Sequence, residues 1–163
     1  MSKQEIPVTQ AIRVLKSHNA QFEAFFYDYE EKSGTHHTAI ELEVDEHLII
    51  KTLVLIGDSK DIFIVLQHGD CEVSLKELAR ILGYKIVAQC DQKTAMNATG
   101  YMFGGTSPFG TKKSLPVYAE SSIFSLPKIY INGGKRGFII SIDSSLLKQL
   151  INIKEVSASI KKF

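Results

Sequence analysis

The chain is poor in cysteine: among 163 residues there are two, Cys71 and Cys90, in no C-x-x-C pair and at no metal-ligand spacing. That disfavours a disulfide framework and a cysteine metal knuckle, and leaves two free thiols in a reducing compartment as the simpler account. No apolar run is long enough to cross a bilayer, so no membrane partner is expected. The opening MSKQEIPVTQ has no apolar signal core, and a cytoplasmic location is expected from it. Excess charge of one sign is also scarce, with a net value of +1. A protein that coats long duplexes carries a strongly basic face. DNA binding is therefore not expected, and any contact with RNA should be local, at an end.

Several catalytic patterns are missing. There is no G-x-G-x-x-G after the first strand, no Walker loop and no G-x-S-x-G elbow. A Rossmann fold, a P-loop nucleotide site and a nucleophile-elbow esterase are disfavoured accordingly. His36 and His37 are adjacent, but nothing near them in sequence completes a metal set, and they read as loop residues. No paired carboxylates stand out. If the chain is a hydrolase, it offers no obvious strong general base, and no metal or organic cofactor is expected.

What remains is an ordinary globular composition, 44% hydrophobic and 23% charged, long enough for residues 1–163 to fold as one domain. The spacing of Ala11, Ile12 and Leu15 predicts a helix over Thr9–His18. Alternation around Phe22, Ala24 and Phe26 predicts a strand. Thr38-x-x-Glu41 and Ser74-x-x-Glu77 read as capping boxes, the second opening a helix that Gly83 stops. IIKTLVLIG (Ile49–Gly57) and DIFIVLQ (Asp61–Gln67) read as strands joined through Asp58-Ser59-Lys60. A short strand over Lys85–Ala88, a helix over Gln92–Ala98 capped by Asp91 and a loop over Gly100–Gly110 follow. KIYIN (Lys128–Asn132) and RGFIISI (Arg136–Ile142) form a hairpin turning at Asn132-Gly133-Gly134, because both residue types tolerate positive φ. A helix over Ser144–Leu150 and a strand near Glu155–Ile160 end the chain. Helices interspersed among hairpin-linked strands give an α/β domain with a mixed, largely antiparallel, curled sheet.

Three segments could carry chemistry. Lys51 interrupts an apolar strand and must find water, a partner or a ligand; the plainer account puts it on the wet face of a half-buried strand. In TGYMFGGTSPFGTKK (Thr99–Lys113), Gly104 and Gly105 allow backbone N–H groups close to a ligand, and Pro108 stiffens the loop, although such a run can be only a turn. Paired backbone donors are what the oxyanion of ester hydrolysis needs. Asn132-Gly133-Gly134 offers a backbone surface with Lys135 or Arg136 near for phosphate, or is simply a hairpin.

IIKTLVL, TGYMFGGTSPFGTKKSLP and IYINGGKRG, in this order and spacing, resemble the YbaK/EbsC family of tRNA-editing proteins, over about Val8 to Ile160. The resemblance implies a mixed α/β fold with a cleft and a hydrolase of mischarged aminoacyl-tRNA in trans, Cys-tRNA(Pro) first. Alternatives are another ester such as Ala-tRNA(Pro), or a non-catalytic module that holds tRNA or a synthetase. It implies an essential Lys51 holding the 3′-terminal region and a G-x-x-x-P element on Gly104–Pro108, with Gly105 the backbone contact. Tyr27, Thr52, Ser107, Asn132, Gly133 and Gly134 follow as substrate-side positions. The implied partners are the acceptor end of aminoacyl-tRNA and prolyl-tRNA synthetase. Asn132 stands where YbaK-type proteins often have serine, which bears on substrate preference. With no protein base, the resemblance implies attack by the substrate's own cysteine thiol.

Overall fold

A computed structural model describes residues 5–31 and 33–161. In chain order the elements are α1 (Gln10–Ser17), β1 (Glu23–Phe26), α2 (Gly34–Leu42), a 3-10 turn over Glu46–Leu48, β2 (Ile49–Gly57), β3 (Ile62–His68), β4 (Cys71–Val73) and α3 (Leu75–Leu82). They continue with β5 (Val87–Gln89), α4 (Gln92–Thr99), β6 (Val117–Glu120), a 3-10 turn over Ser121–Ser125, β7 (Lys128–Lys135), β8 (Phe138–Asp143), α5 (Ser145–Leu150), β9 (Ile153–Val156) and β10 (Ser159–Lys161).

The main sheet runs β1-β8-β7-β2-β3-β6-β9, with β5 as a further partner of β2. The β1–β8, β7–β8, β2–β3 and β2–β5 pairs are antiparallel, and β2–β7, β3–β6 and β6–β9 are parallel. β4 and β10 form a small antiparallel ribbon of their own. The fold is the mixed α/β class that the sequence pattern predicts.

Alternation along β2 and β3 builds two cores. Ile50, Val54, Ile64 and Leu66 join a cluster with Ile12, Leu15, Tyr101, Phe109 and Phe138. Leu53, Leu55, Phe63 and Val65 join Leu78, Ala79 and Val87 beneath α3. Both faces of β2 therefore carry apolar contacts, which is why the strand reads as a nearly continuous apolar run. Lys51 shares the parity of Leu53 and Leu55. It is half-buried, not on a wet face.

The helix starts follow the expected capping chemistry at two of three points, Ser74 and Asp91, and Thr9 adds a cap that the sequence reading does not name. Thr9, Ser74 and Asp91 each accept a backbone N–H from three residues ahead. Thr38 does not cap. α2 begins at Gly34, Thr38 and Ala39 are buried within it, and the Thr38 hydroxyl bonds back to the Gly34 carbonyl at 3.4 Å. His36 and His37 thus lie on a helix, where His36 Nδ1 pairs with Glu46 at 3.6 Å.

The second correction concerns the β7–β8 hairpin. β7 continues to Lys135, and the turn is Arg136-Gly137, with Gly137 at φ +76°. Asn132-Gly133-Gly134 is instead a bulge. The Asn132 Oδ1 accepts from the N–H groups of Gly134 (2.7 Å) and Lys135 (3.1 Å), a local closure that competes with the ladder. Gly133 is required because the Phe138 ring occupies the space of a Cβ. The strand expected near Glu155–Ile160 is two strands, β9 and β10, broken where the Ala158 N–H turns to the buried Glu120 carboxylate at 3.0 Å. β4 and β6 add pairings that the sequence pattern does not announce.

Candidate active site

The site arises from a split in the sheet. β3 covers one edge of β2 from Ile50 to Ile56. On the other edge, β7 pairs only at Ile49 and Ile50, and β5 only from Leu55 to Gly57. Between them, Lys51–Val54 has no strand partner on that edge among the described residues. There the Val54 carbonyl accepts from the Cys90 N–H at 3.1 Å. A cleft of about 420 Å³ opens at the gap.

Lys51, Thr52, Tyr27, Gly104 and Asn132 are brought together on its walls. The Thr52 Oγ1 is buried and has no hydrogen-bond partner among the described residues. An unsatisfied buried hydroxyl costs about 1–3 kcal/mol, so its survival in the cleft is a feature to explain. Asn132 bridges loop and hairpin: its Nδ2 donates to the Gly104 carbonyl at 3.2 Å while its Oδ1 holds the bulge. A serine hydroxyl is too short and too poor in donors to make the same span. The Asn132 amide therefore organises the wall it belongs to.

Gly105, Ser107, Pro108, Gly133 and Gly134 lie behind that wall. The Gly105 N–H donates to the Met102 carbonyl at 2.8 Å, closing a turn. A Cβ on Gly105 would stand 2.8 Å from the Arg136 nitrogen and 3.0 Å from the Lys135 carbonyl carbon. Ser107 is fully buried, and its hydroxyl accepts from the Phe109 N–H at 3.1 Å. Arg136 is a clamp: its Nε donates to the Phe103 carbonyl at 2.7 Å, and its guanidinium sits 4.9 Å over the Tyr29 ring. Lys135 is exposed at the hairpin tip.

Sequence reasoning missed Tyr29, Thr35, Gln89, Cys90, Met96 and Phe103, which complete the cleft. Met96 and Phe103 are unusually exposed for their type, 40% and 55%, and give the mouth an apolar rim. Periodicity carries no sign of them, since they come from segments that meet only through β5 and the Gly-rich loop.

The titratable groups bear on chemistry. Burial pushes the Tyr101 phenol up to about 12, and its hydroxyl is spent on the Phe109 carbonyl. Burial also raises the Cys90 thiol, with Asp91 adding to the effect. Neither is primed as a base or nucleophile near neutral pH. What the cleft offers is Lys51, the buried and unpartnered Thr52 hydroxyl, the exposed Glu30 carboxylate, tyrosines and a glycine-bearing loop.

Comparison with known proteins identifies the family of the chain. Residues 30–150 match the family described as aminoacyl-tRNA editing domain. The chain is 30% identical over 145 residues, 88% of each partner, to a protein of Enterococcus faecalis named "Putative Cys-tRNA(Pro)/Cys-tRNA(Cys) deacylase EbsC". It is 30% identical over 86 residues to a proline–tRNA ligase of Brachyspira hyodysenteriae, covering 53% of this chain and 15% of that one. Among solved structures, one described as "a putative trans-editing enzyme for prolyl tRNA synthetase" superposes with a TM-score of 0.79 at 19% identity, over 98% of this chain and 100% of that one. Another, a hypothetical protein named APE2540, gives 0.83 at 18% identity over 93% and 99%.

Proposed function

Because the chain belongs to the aminoacyl-tRNA editing domain family, and is on that footing an aminoacyl-tRNA deacylase, we propose that it acts in trans on Cys-tRNA(Pro) through the cleft beside Lys51. The observation that carries this reading is a cleft with Lys51 on its wall, where Cys90 and Tyr101 are not primed as nucleophile or base and the one carboxylate among the described lining residues, Glu30, is exposed to solvent. An ester that brings its own nucleophile suits such a site. The substrate's thiol sulfur bonds to its own carbonyl carbon, the C–O bond to the terminal ribose breaks, and the ribose oxygen takes up the proton. Holding thiol and carbonyl in register removes an entropic barrier worth up to about 7–11 kcal/mol. Lys51 supplies a compact positive charge for the 3′-terminal nucleotide. Gly104 and Thr106 present the loop to the ester, Gly105 seats that loop on the hairpin, and the exposed Phe103 offers a face for an unstacked base. The near-neutral charge fits a partner such as prolyl-tRNA synthetase that brings the tRNA.

The test is a parallel assay on Cys-tRNA(Pro) and Ala-tRNA(Pro). Loss of the cysteinyl ester alone is expected. Equal cleavage of the alanyl ester would show that water serves as nucleophile, and cleavage of neither would leave the thiol route without a substrate.

Thr52 gives a finer check. Thr52→Val removes the orphaned hydroxyl at nearly constant volume. Urea melts are expected to show unchanged or higher stability, by up to about 1 kcal/mol, since an unpaired buried hydroxyl is lost. kcat/KM for the cysteinyl ester is expected to fall about tenfold, the worth of one hydrogen bond to substrate. A fall in both stability and activity would mean the hydroxyl serves the fold.

A further inference from the structure

Outside the cleft, three ligand-type side chains of different chemistry converge. His47 lies in the 3-10 turn before β2, Asp70 in the β3–β4 turn and Cys71 at the start of β4. One atom of each, the His47 Nδ1, an Asp70 carboxylate oxygen and the Cys71 Sγ, lies within 4.8 Å of the others. The His47 Nδ1 is 2.8 Å from the Asp70 Oδ1, and the Cys71 Sγ is 3.5 Å from the same oxygen. Ligand atoms around a tetrahedral zinc, at bond lengths of about 2.0–2.3 Å, stand roughly 3.3–3.7 Å apart. The cluster needs only side-chain adjustment to reach that spacing.

The imidazole is also held in place. Its ring stacks on that of His68, with centroids 3.8 Å apart and planes 7° from parallel. His68 is 1% exposed and fixed at both nitrogens, to the His47 carbonyl at 2.8 Å and to the Ser122 Oγ at 2.7 Å. Outer groups that fix a ligating imidazole are half of what makes a metal site. A bare His47–Asp70 ion pair would explain two of the three groups. The Cys71 thiol, 5% exposed as a residue, faces the same oxygen and also Ser159, and adds a sulfur donor to the pair.

We propose that His47, Asp70 and Cys71 bind a divalent cation of the zinc type, with the fourth position open to water. The mixed N, O and S set suits Zn²⁺ and not Mg²⁺ or Ca²⁺, which take oxygen ligands. On binding, the cation takes the Nδ1 lone pair of the neutral His47 ring, whose proton then sits on Nε2, and an Asp70 carboxylate oxygen, and displaces the proton of the Cys71 thiol, which leaves to solvent. Local spacing hides the set, because His47 is brought to Asp70-Cys71 only by the β2–β3 ladder.

The test uses the full chain, reduced, titrated with Co²⁺ as a spectroscopic stand-in for zinc. Expected are four-coordinate visible bands and a near-ultraviolet sulfur-to-cobalt charge-transfer band. Cys71→Ser should abolish the charge-transfer band, and Asp70→Asn and His47→Ala should each weaken Co²⁺ binding at least tenfold. Cys90→Ser should change neither. No charge-transfer band in the wild-type chain, or one that disappears with Cys90 and not with Cys71, would overturn the site. Circular dichroism checks that each variant is folded. Should Cys71→Ser fail to fold, Asp70→Asn, on a partly exposed turn, decides by its effect on affinity. Cleavage of aminoacyl esters is not part of the readout, so the site stands or falls apart from the proposed function.

Discussion

Lys51→Ala is expected to reduce deacylation of Cys-tRNA(Pro) about 10²–10³-fold, the loss typical of removing one well-placed polar group from a transition state, while the chain stays folded. Lys51 sits where one edge of β2 carries no strand pairing among the described residues, between the last β7 pairing at Ile50 and the first β5 pairing at Leu55, while the other edge stays paired to β3. Its stem runs along a face that further on is packed by Leu53 and Leu55. Alanine keeps the strand, and the ladder to β3 at Gln67 is made by backbone. The ammonium also acts on its surroundings: burial raises the Cys71 thiol most, and Lys51 partly opposes this. Arginine is no substitute, because a planar fork in place of a compact point charge must displace the cleft wall. Lys51→Arg should therefore recover little. Single-turnover rates and KM on the same preparation separate lost binding from lost chemistry. Near-wild-type turnover by the alanine variant would remove Lys51 from the site.

How much of this was legible in the sequence varies with how local the cause is. The helix caps at Ser74 and Asp91 and the stop at Gly83 are three-residue chemistry, and they stand where the pattern puts them. Lys51, Thr52, Gly104 and Asn132 are legible because motifs carry them, and the fold gathers them into one cleft. The hairpin turn was misplaced because Asn-Gly encodes tolerance of positive φ, not its location. Arg136-Gly137 meets the same need, and the Phe138 ring packed against Gly133 decides between them. β6 is not announced because its four residues, three of them buried between β3 and β9, carry no alternation to read. Cys90 and Gln89 reach the cleft through the pairing of β5 to β2, a contact made across more than thirty residues. The His47–Asp70–Cys71 cluster is hidden in the same way, since its ligands have no common spacing.

Gly105→Ala should be the most damaging small substitution in the loop, for a reason that distinguishes two roles of this glycine. If Gly105 served only by offering its N–H to an oxyanion, alanine would keep the donor and cost little stability. In the structure that N–H closes a turn to Met102, and the added methyl would meet backbone: the Arg136 nitrogen at 2.8 Å, and the Lys135 carbonyl carbon and Cα at 3.0 and 3.2 Å. Backbone cannot swing aside as a side-chain tip can, so loop and hairpin must part. Overpacking of this kind costs about 1–3 kcal/mol, and it strains the two bonds that seat the loop, from the Asn132 Nδ2 to Gly104 and from the Arg136 Nε to Phe103. A shift of about 1 Å in a wall that positions substrate can cost about 10²-fold in rate. Gly104→Ala is the useful contrast. Its Cβ would meet the Tyr29 hydroxyl at 2.5 Å, a side-chain end that can move, although φ of +84° adds strain of its own. The expected order in urea midpoint and in kcat/KM is wild type, then Gly104→Ala, then Gly105→Ala. Loss of activity in Gly105→Ala with an unchanged urea midpoint would assign the glycine to direct contact with substrate and remove its role as the seat of the loop.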